Sequence, residues 1–277
     1  IRHVPVTRLL LALAIAAIAI IGGAIAAGRV ATPARADDVV LLAAGDIASC
    51  ASTGDEQTAN LLDTLPGTIV IPGDIAYDNG TAAEFTNCYD PTWGRHKART
   101  YPAPGNHEYN TPGATGYYNY FGAAAGDPAK GYYSFDLGDW HIIALNSNCS
   151  AIGGCGAGSA QEQWLRADLV AHPNACTLAF WHHPRFSSGS HGNTTAMQPI
   201  FQALYDYRAE IVLSGHDHTY ERFAKQDAAG NADANGIREF VVGMGGRRVR
   251  TRGREQTSVE EGESVDVGGR RITQECP

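Results

Sequence analysis

Basic residues are scarce in this chain: 21 Lys and Arg stand against 29 Asp and Glu over 277 residues, for a formal charge of −8 and a pI near 5.6. A surface that neutralises a phosphate backbone needs clustered Lys and Arg, so this balance argues against a nucleic-acid-binding face. None of the six cysteines falls in a Cys-x-x-Cys pair, which removes the zinc-knuckle and dithiol-redox readings. Neither a Ser-His-Asp nor a Cys-His nucleophile signature is evident. Internal repeats are lacking too. With 44% hydrophobic residues, the chain is rich enough in apolar side chains to bury a substantial core.

One long hydrophobic run exists, from Leu9 to Ala27, preceded by Arg2 and Arg8 and followed by the small-residue pattern Ala34-Arg35-Ala36. Residues 1–36 therefore read as a secretory signal cleaved after Ala36, with an uncleaved membrane anchor as the alternative. Either way the remainder is exported, and its cysteines are expected in disulfides. Of the 15 possible pairings, one closes Cys149 with Cys155 locally and ties two early loops through Cys50 and Cys88, leaving Cys176 and Cys276. Asn148-Cys149-Ser150 and Asn193-Thr194-Thr195 are glycosylation sequons.

From residue 37 to 246 the pattern is α/β. VVLLAAGD (39–46) and TIVIPGD (68–74) read as buried strands running into Gly-Asp, and Thr53 with Glu56 suggests a capping box opening a helix that Pro66-Gly67 stops. Residues 132–147 predict a hairpin turning at Leu137-Gly138-Asp139. Ser159 and Glu162 suggest a second capped helix ending before Pro173. CTLAFWHH (176–183), a helix near 195–207, EIVLSGH (210–216) and REFVVGMG (238–245) follow. Past Gly246 the chain is dense in Arg, Glu and Gly, without an aromatic residue, and 247–277 reads as a divergent, poorly ordered tail.

Most of these strands end in Asp or His. In open α/β sheets the crevice outside the carboxyl ends of the strands is where ligands bind. The blocks GDIA (Asp46), GDIAY (Asp74, Tyr77), GNHE (Asn106, His107), WHHP (His182, His183) and GHDH (His216, His218) are each weak alone. Together they supply carboxylate oxygens, imidazole nitrogens and a carboxylate that two metal ions can share, for which Asp74 is the natural bridge.

This ordered set resembles the calcineurin-like metallophosphoesterases and, within them, the short single-domain form of the purple acid phosphatases. The resemblance implies a four-layer α/β/β/α sandwich with a dimetal site at the C-terminal ends of its strands. It implies one ion on Asp46, Asp74, Tyr77 and His218, and a second on Asp74, Asn106, His182 and His216. It places Fe(III) at the Tyr77 position and Fe, Zn or Mn at the other. Where many branches have a ligand His two residues after the first Asp, this chain has Ala48, and Tyr77 provides the donor instead. His183, next to the implied ligand His182, is expected to face away or line the rim. His107 and His191 match substrate-side histidines that protonate the leaving group or hold the phosphate. His96, His141 and His172 read as structural. The implied activity is hydrolysis of a small phosphomonoester, with no membrane partner beyond the N-terminal segment. Phosphodiester or nucleotide hydrolysis, or metal binding at a decayed site, are the alternatives.

Overall fold

A computed structural model describes residues 39–173 and 176–247. The proposed signal or anchor, the tail beyond Arg247 and the Cys176–Cys276 pairing lie outside the described residues. Eleven strands and five α-helices follow in order. β1 (Leu41–Ala43), β2 (Ala48–Ser49), α1 (Gly54–Thr64), β3 (Thr68–Pro72) and β4 (Ala76–Tyr77) come first. α2 (Ala82–Glu84) continues as a π-helical turn, Phe85–Tyr89, and β5 (Thr100–Ala103) and α3 (Thr115–Phe121) succeed it. Then come β6 (Tyr133–Leu137), β7 (Trp140–Ala144), α4 (Ala160–Ala171), β8 (Cys176–Phe180), α5 (Gln198–Asp206), β9 (Ile211–Ser214), β10 (Tyr220–Arg222) and β11 (Arg238–Val242).

Two principal sheets form. One is parallel, in the order β1-β3-β5; the other runs β10-β11-β9-β8-β7-β6, with parallel strands at its centre and antiparallel pairs at its edges. Successive strand side chains point to opposite faces, and the buried residues sort accordingly. Val70, Ile142, Ala144, Leu178, Phe180, Ile211, Leu213 and Phe240 share one apolar cluster between the sheets. Their sequence neighbours Ile143, Ala179, Val212 and Val241 instead pack on Leu165 and Leu169 of α4 and Ile200, Phe201 and Leu204 of α5. Ile69 and Ile71 face Ala59 and Leu62 of α1 and an aromatic group that includes Phe85, Tyr89 and Tyr117. Three apolar layers separate four layers of structure, which is the expected α/β/β/α sandwich.

Local signals fare unevenly. The hairpin turns at Gly138-Asp139, with Leu137 opposite Trp140. Ser159 caps α4 by accepting from the Glu162 N–H, while the Glu162 carboxylate reaches the Gly158 N–H. Thr53 makes no side-chain cap. The backbone of Gly246 lies against Gly54 and Asp55 there, so a tertiary contact replaces the local one. The complete capping box is at Thr81 and Glu84. Disulfides join Cys50 to Cys88 and Cys149 to Cys155, with Cα separations of 4.9 and 5.2 Å.

Candidate metal centre

The chemistry-bearing blocks follow the C-terminal ends of parallel strands: Asp46 after β1, Asp74 after β3, Asn106 and His107 after β5, His182 after β8, and His216 and His218 after β9. Three of these side chains sit on left-handed backbone, with φ of 61° at Asp46, 51° at Asp74 and 69° at His216. Such conformations cost non-glycine residues on the order of 1–3 kcal/mol each and persist only where surrounding bonds hold them. Here Asp46 donates its N–H to Gly73 O (3.1 Å), His107 donates its N–H to Asp74 Oδ1 (3.0 Å), and His216 donates its N–H to Asp46 Oδ2 (2.9 Å). Gly105 has to be glycine, because a Cβ there would overlap the Asp74 carboxylate.

The donors converge in two groups that share Asp74. The Tyr77 hydroxyl lies 2.8 Å from Asp46 Oδ1, 3.1 Å from Asp74 Oδ2 and 3.2 Å from His218 Nε2. Beyond Asp74 Oδ2, His182 Nε2 is at 3.2 Å, and that nitrogen is 3.0 Å from Asn106 Oδ1 and 3.2 Å from His216 Nδ1. Ligands about 2.0–2.2 Å from one ion are separated by edges of about 2.9–3.4 Å, so these spacings fit two coordination sets with a shared carboxylate oxygen. His182 Nδ1 lies 3.0 Å from Pro72 O, which holds a ring proton on Nδ1 and aims Nε2 into the donor set. The donor set (carboxylates, imidazoles, an amide oxygen and a phenol) suits a hard or borderline ion.

Electrostatics point the same way. Burial alone would raise the Asp74 pKa, but the charge and hydrogen bond of His182, with help from His107, hold it well below the usual carboxylate range. Burial opposes charge on His182, yet Asp74 wins and lifts it to about 9. His216 is pushed down to about 2 and His183 to about 3, by burial first and then by the neighbouring His182 charge. Burial and then the adjacent Asp46 and Asp74 charges drive the Tyr77 phenol far above its ordinary range. A cation held among these groups would offset that penalty and favour the Tyr77 phenolate.

All seven expected ligands are brought together. His107 stands over them, its ring 4.3 Å from that of Tyr77 and its Nδ1 2.6 Å from Asp78 O. His191 reaches the site from its loop, with its ring 4.1 Å from His216. Of the two expectations for His183, the structure follows the second: β8 stops at Phe180, and the ring borders the site, 4.5 Å from His216 with Nδ1 2.8 Å from Ser147 Oγ. His96 and His141 are drawn into ion-pair networks elsewhere, and His172 stacks on His141.

Sequence reasoning gives three supporting residues no role, although Glu108 and Asp217 lie within the GNHE and GHDH blocks. Glu108 accepts from four backbone N–H groups around the Asp74 turn. Asp217, between His216 and His218, accepts from the backbone N–H and Nδ1 of His191. Arg247 covers the Tyr77 ring.

A four-layer sandwich with this donor set at its strand ends has the architecture of a metallophosphoesterase. The chain belongs to that family: the calcineurin-like phosphoesterase model matches residues 30–220. It is similar to purple acid phosphatase 15 of Arabidopsis thaliana, 26% identical over 241 residues, or 74% of this chain and 44% of that protein. Purple acid phosphatase 23 of the same plant is 30% identical over 202 residues, 59% of this chain and 43% of that one. The chain thus spans less than half the length of these relatives. Among solved structures, the purple acid phosphatase PPD1 from yellow lupin seeds superposes with a TM-score of 0.65 at 16% identity, covering 80% of this chain and 46% of that one. GAP50, the anchor in the inner membrane complex of Plasmodium, does so with a TM-score of 0.59 at 15% identity, over 80% of this chain and 76% of that one.

Proposed function

We propose that the chain is a secreted phosphomonoester hydrolase of the purple acid phosphatase type, using two metal ions. The observation that carries this reading is the position of the Tyr77 hydroxyl, 2.8 to 3.2 Å from Asp46, Asp74 and His218, with the second donor set meeting it at Asp74. Asp46, Asp74, Tyr77 and His218 would hold Fe(III), which a phenolate favours, and Asp74, Asn106, His182 and His216 would hold Fe, Zn or Mn. Bound there, the pair supplies Lewis acidity and activates water for in-line attack on phosphorus.

The protein's own part is to place the phosphoester and manage its protons. With Nδ1 tied to Asp78 O, His107 turns Nε2 toward the site, 3.7 Å from Asp74 Oδ2, where it can protonate the departing alkoxide. His191, fixed by Asp217, borders the second donor set and can hold a phosphoryl oxygen. Export is supported by the two disulfides, which persist in oxidising compartments. No described helix is long and apolar enough to cross a membrane.

Fold alone does not carry an activity, so turnover has to be measured. The metallated protein is expected to hydrolyse phosphomonoesters faster than phosphodiesters, and Asn106→Ala to abolish both. Faster diester cleavage would move the proposal to the phosphodiesterase alternative. Two bound metals without turnover on either class would leave only metal binding.

A further inference from the structure

Tyr77 is braced from outside the ligand set by a residue in the segment that reads as tail. Arg247 places its guanidinium carbon 4.5 Å from the centroid of the Tyr77 ring. Nη1 donates to Ser49 Oγ at 2.8 Å, Nη2 donates to Asp78 Oδ1 at 3.1 Å, and the backbone N–H donates to Asp46 O at 2.8 Å. These anchors are specific to Tyr77's surroundings. Ser49 is its cross-strand partner in the β2–β4 pair, Asp78 is its sequence neighbour, and Asp46 accepts its phenolic proton. One side chain therefore spans both flanks of the phenol and lies over its π face. Only the planar guanidinium fork can make both side-chain bonds while stacking.

A cation over an aromatic face is attracted to its electron density, and the attraction grows as the phenol becomes a phenolate. We propose that Arg247 is a positioning residue for Tyr77 that also sets the electronic character of this ligand, holding the ring in place and stabilising its filled orbitals by adjacent positive charge. The inference rests on the reading that Tyr77 binds Fe(III). In that state an electron moves from phenolate to iron when light is absorbed, and a positive charge beside the ring makes that electron harder to remove. Taking the charge away lowers the transition energy.

The test is the visible spectrum of the iron-loaded full chain, normalised to bound iron, for the native protein and for Arg247→Met, Arg247→Lys, Ser49→Ala and Tyr77→Phe. The native band is expected to disappear in Tyr77→Phe and to move to longer wavelength in Arg247→Met, by on the order of tens of nanometres for one charge at this distance. Arg247→Lys, which keeps the charge, should stay nearer the native position. Ser49→Ala, which loosens one anchor, should shift in the same direction but less. If Arg247→Met does not fold, the Lys and Ser49 variants decide. A native band that is unmoved in every Arg247 and Ser49 variant overturns the inference and leaves the Tyr77 reading standing. An iron-loaded native protein without a band overturns the reading, and the inference with it.

Discussion

Glu108 holds Asp74 without touching its side chain. The Glu108 carboxylate accepts from the backbone N–H groups of Asp74 (3.0 Å), Ile75 (2.8 Å), Ala76 (3.3 Å) and Gly105 (2.7 Å). It thereby joins the turn bearing Asp74 to the turn bearing Asn106. Burial and the Asp74 charge push its pKa up to about 7 against the Gly105, Ile75 and Ala76 donors. Gln offers one oxygen where two are needed and sets an NH2 group against N–H groups. Glu108→Gln is expected to lose about 2–3 kcal/mol of stability, since each unpaired buried donor costs about 1–3 kcal/mol, and about tenfold in metal affinity. Denaturant unfolding and metal content after competition with a chelator measure both. Native values for the variant would show that the turn is held by other contacts.

Asp217 does for His191 what Glu108 does for Asp74. Oδ1 accepts from the His191 N–H at 3.1 Å and lies 3.0 Å from its Nδ1, while Oδ2 accepts from Ser187 Oγ at 2.5 Å. Asp217→Asn keeps the shape but removes the charge facing the imidazole. Turnover of a phosphomonoester is expected to fall about 10- to 100-fold, with bound metal unchanged. Loss of metal in proportion to activity would instead assign Asp217 to support of His216 and His218.

His141 makes stability depend on pH away from the site. Its ring is buried between Asp136 Oδ1 (2.7 Å) and Asp168 Oδ2 (2.8 Å), and it stacks on His172 at 3.7 Å. Burial disfavours its charge, but the bonds to Asp168 and Asp136 outweigh this and raise its pKa. The folded pKa lies above the unfolded one, so the contribution is fully present below the unfolded value near 6.5 and is lost as pH rises through the folded value. Asp168→Asn removes one charged hydrogen bond and is expected to cost about 1.5–3 kcal/mol at pH 5, with a smaller cost at pH 9. An equal loss at both pH values would contradict the assignment.

The convergence of these blocks was legible because they sit just past strand ends, where sequence order and spatial convergence coincide; their assignment as ligands comes from the resemblance. Asp46, Asp74, His182, His216 and His218 follow strands that apolar runs announce, whereas β5, which leads to Asn106, is the short TYPA segment and carries no such run. The α/β pattern was legible in the same runs, since Ile69–Ile71 and Ile142–Ala144 are apolar on both faces, as strands covered on both sides are; the four-layer sandwich was implied by the resemblance. What escaped depends on contacts distant in sequence. Nothing local shows that the WHH strand stops at Phe180, so the sequence leaves His183 between facing away and lining the rim, and the end of β8 brings it to the site's edge. Arg247 lies in what reads as a polar tail, and only the return of Gly245 to Gly45 brings it onto Tyr77. Thr53 has the spacing of a cap, but Gly246 occupies the approach to that helix end. The helical region between β4 and β5 carries no long apolar period, and its order comes from packing among Phe85, Tyr89, Tyr120 and Phe121.

The measurement that bears most directly on the central claim is phosphomonoester turnover as metal is added back to the stripped protein, read against metal bound per chain. Two donor sets joined at Asp74 predict that activity stays low through the first equivalent, rises with the second and levels off at two. They also predict that Asp74→Asn gains no activity at any loading. Full turnover at one bound metal, or in Asp74→Asn, would contradict the two-metal account.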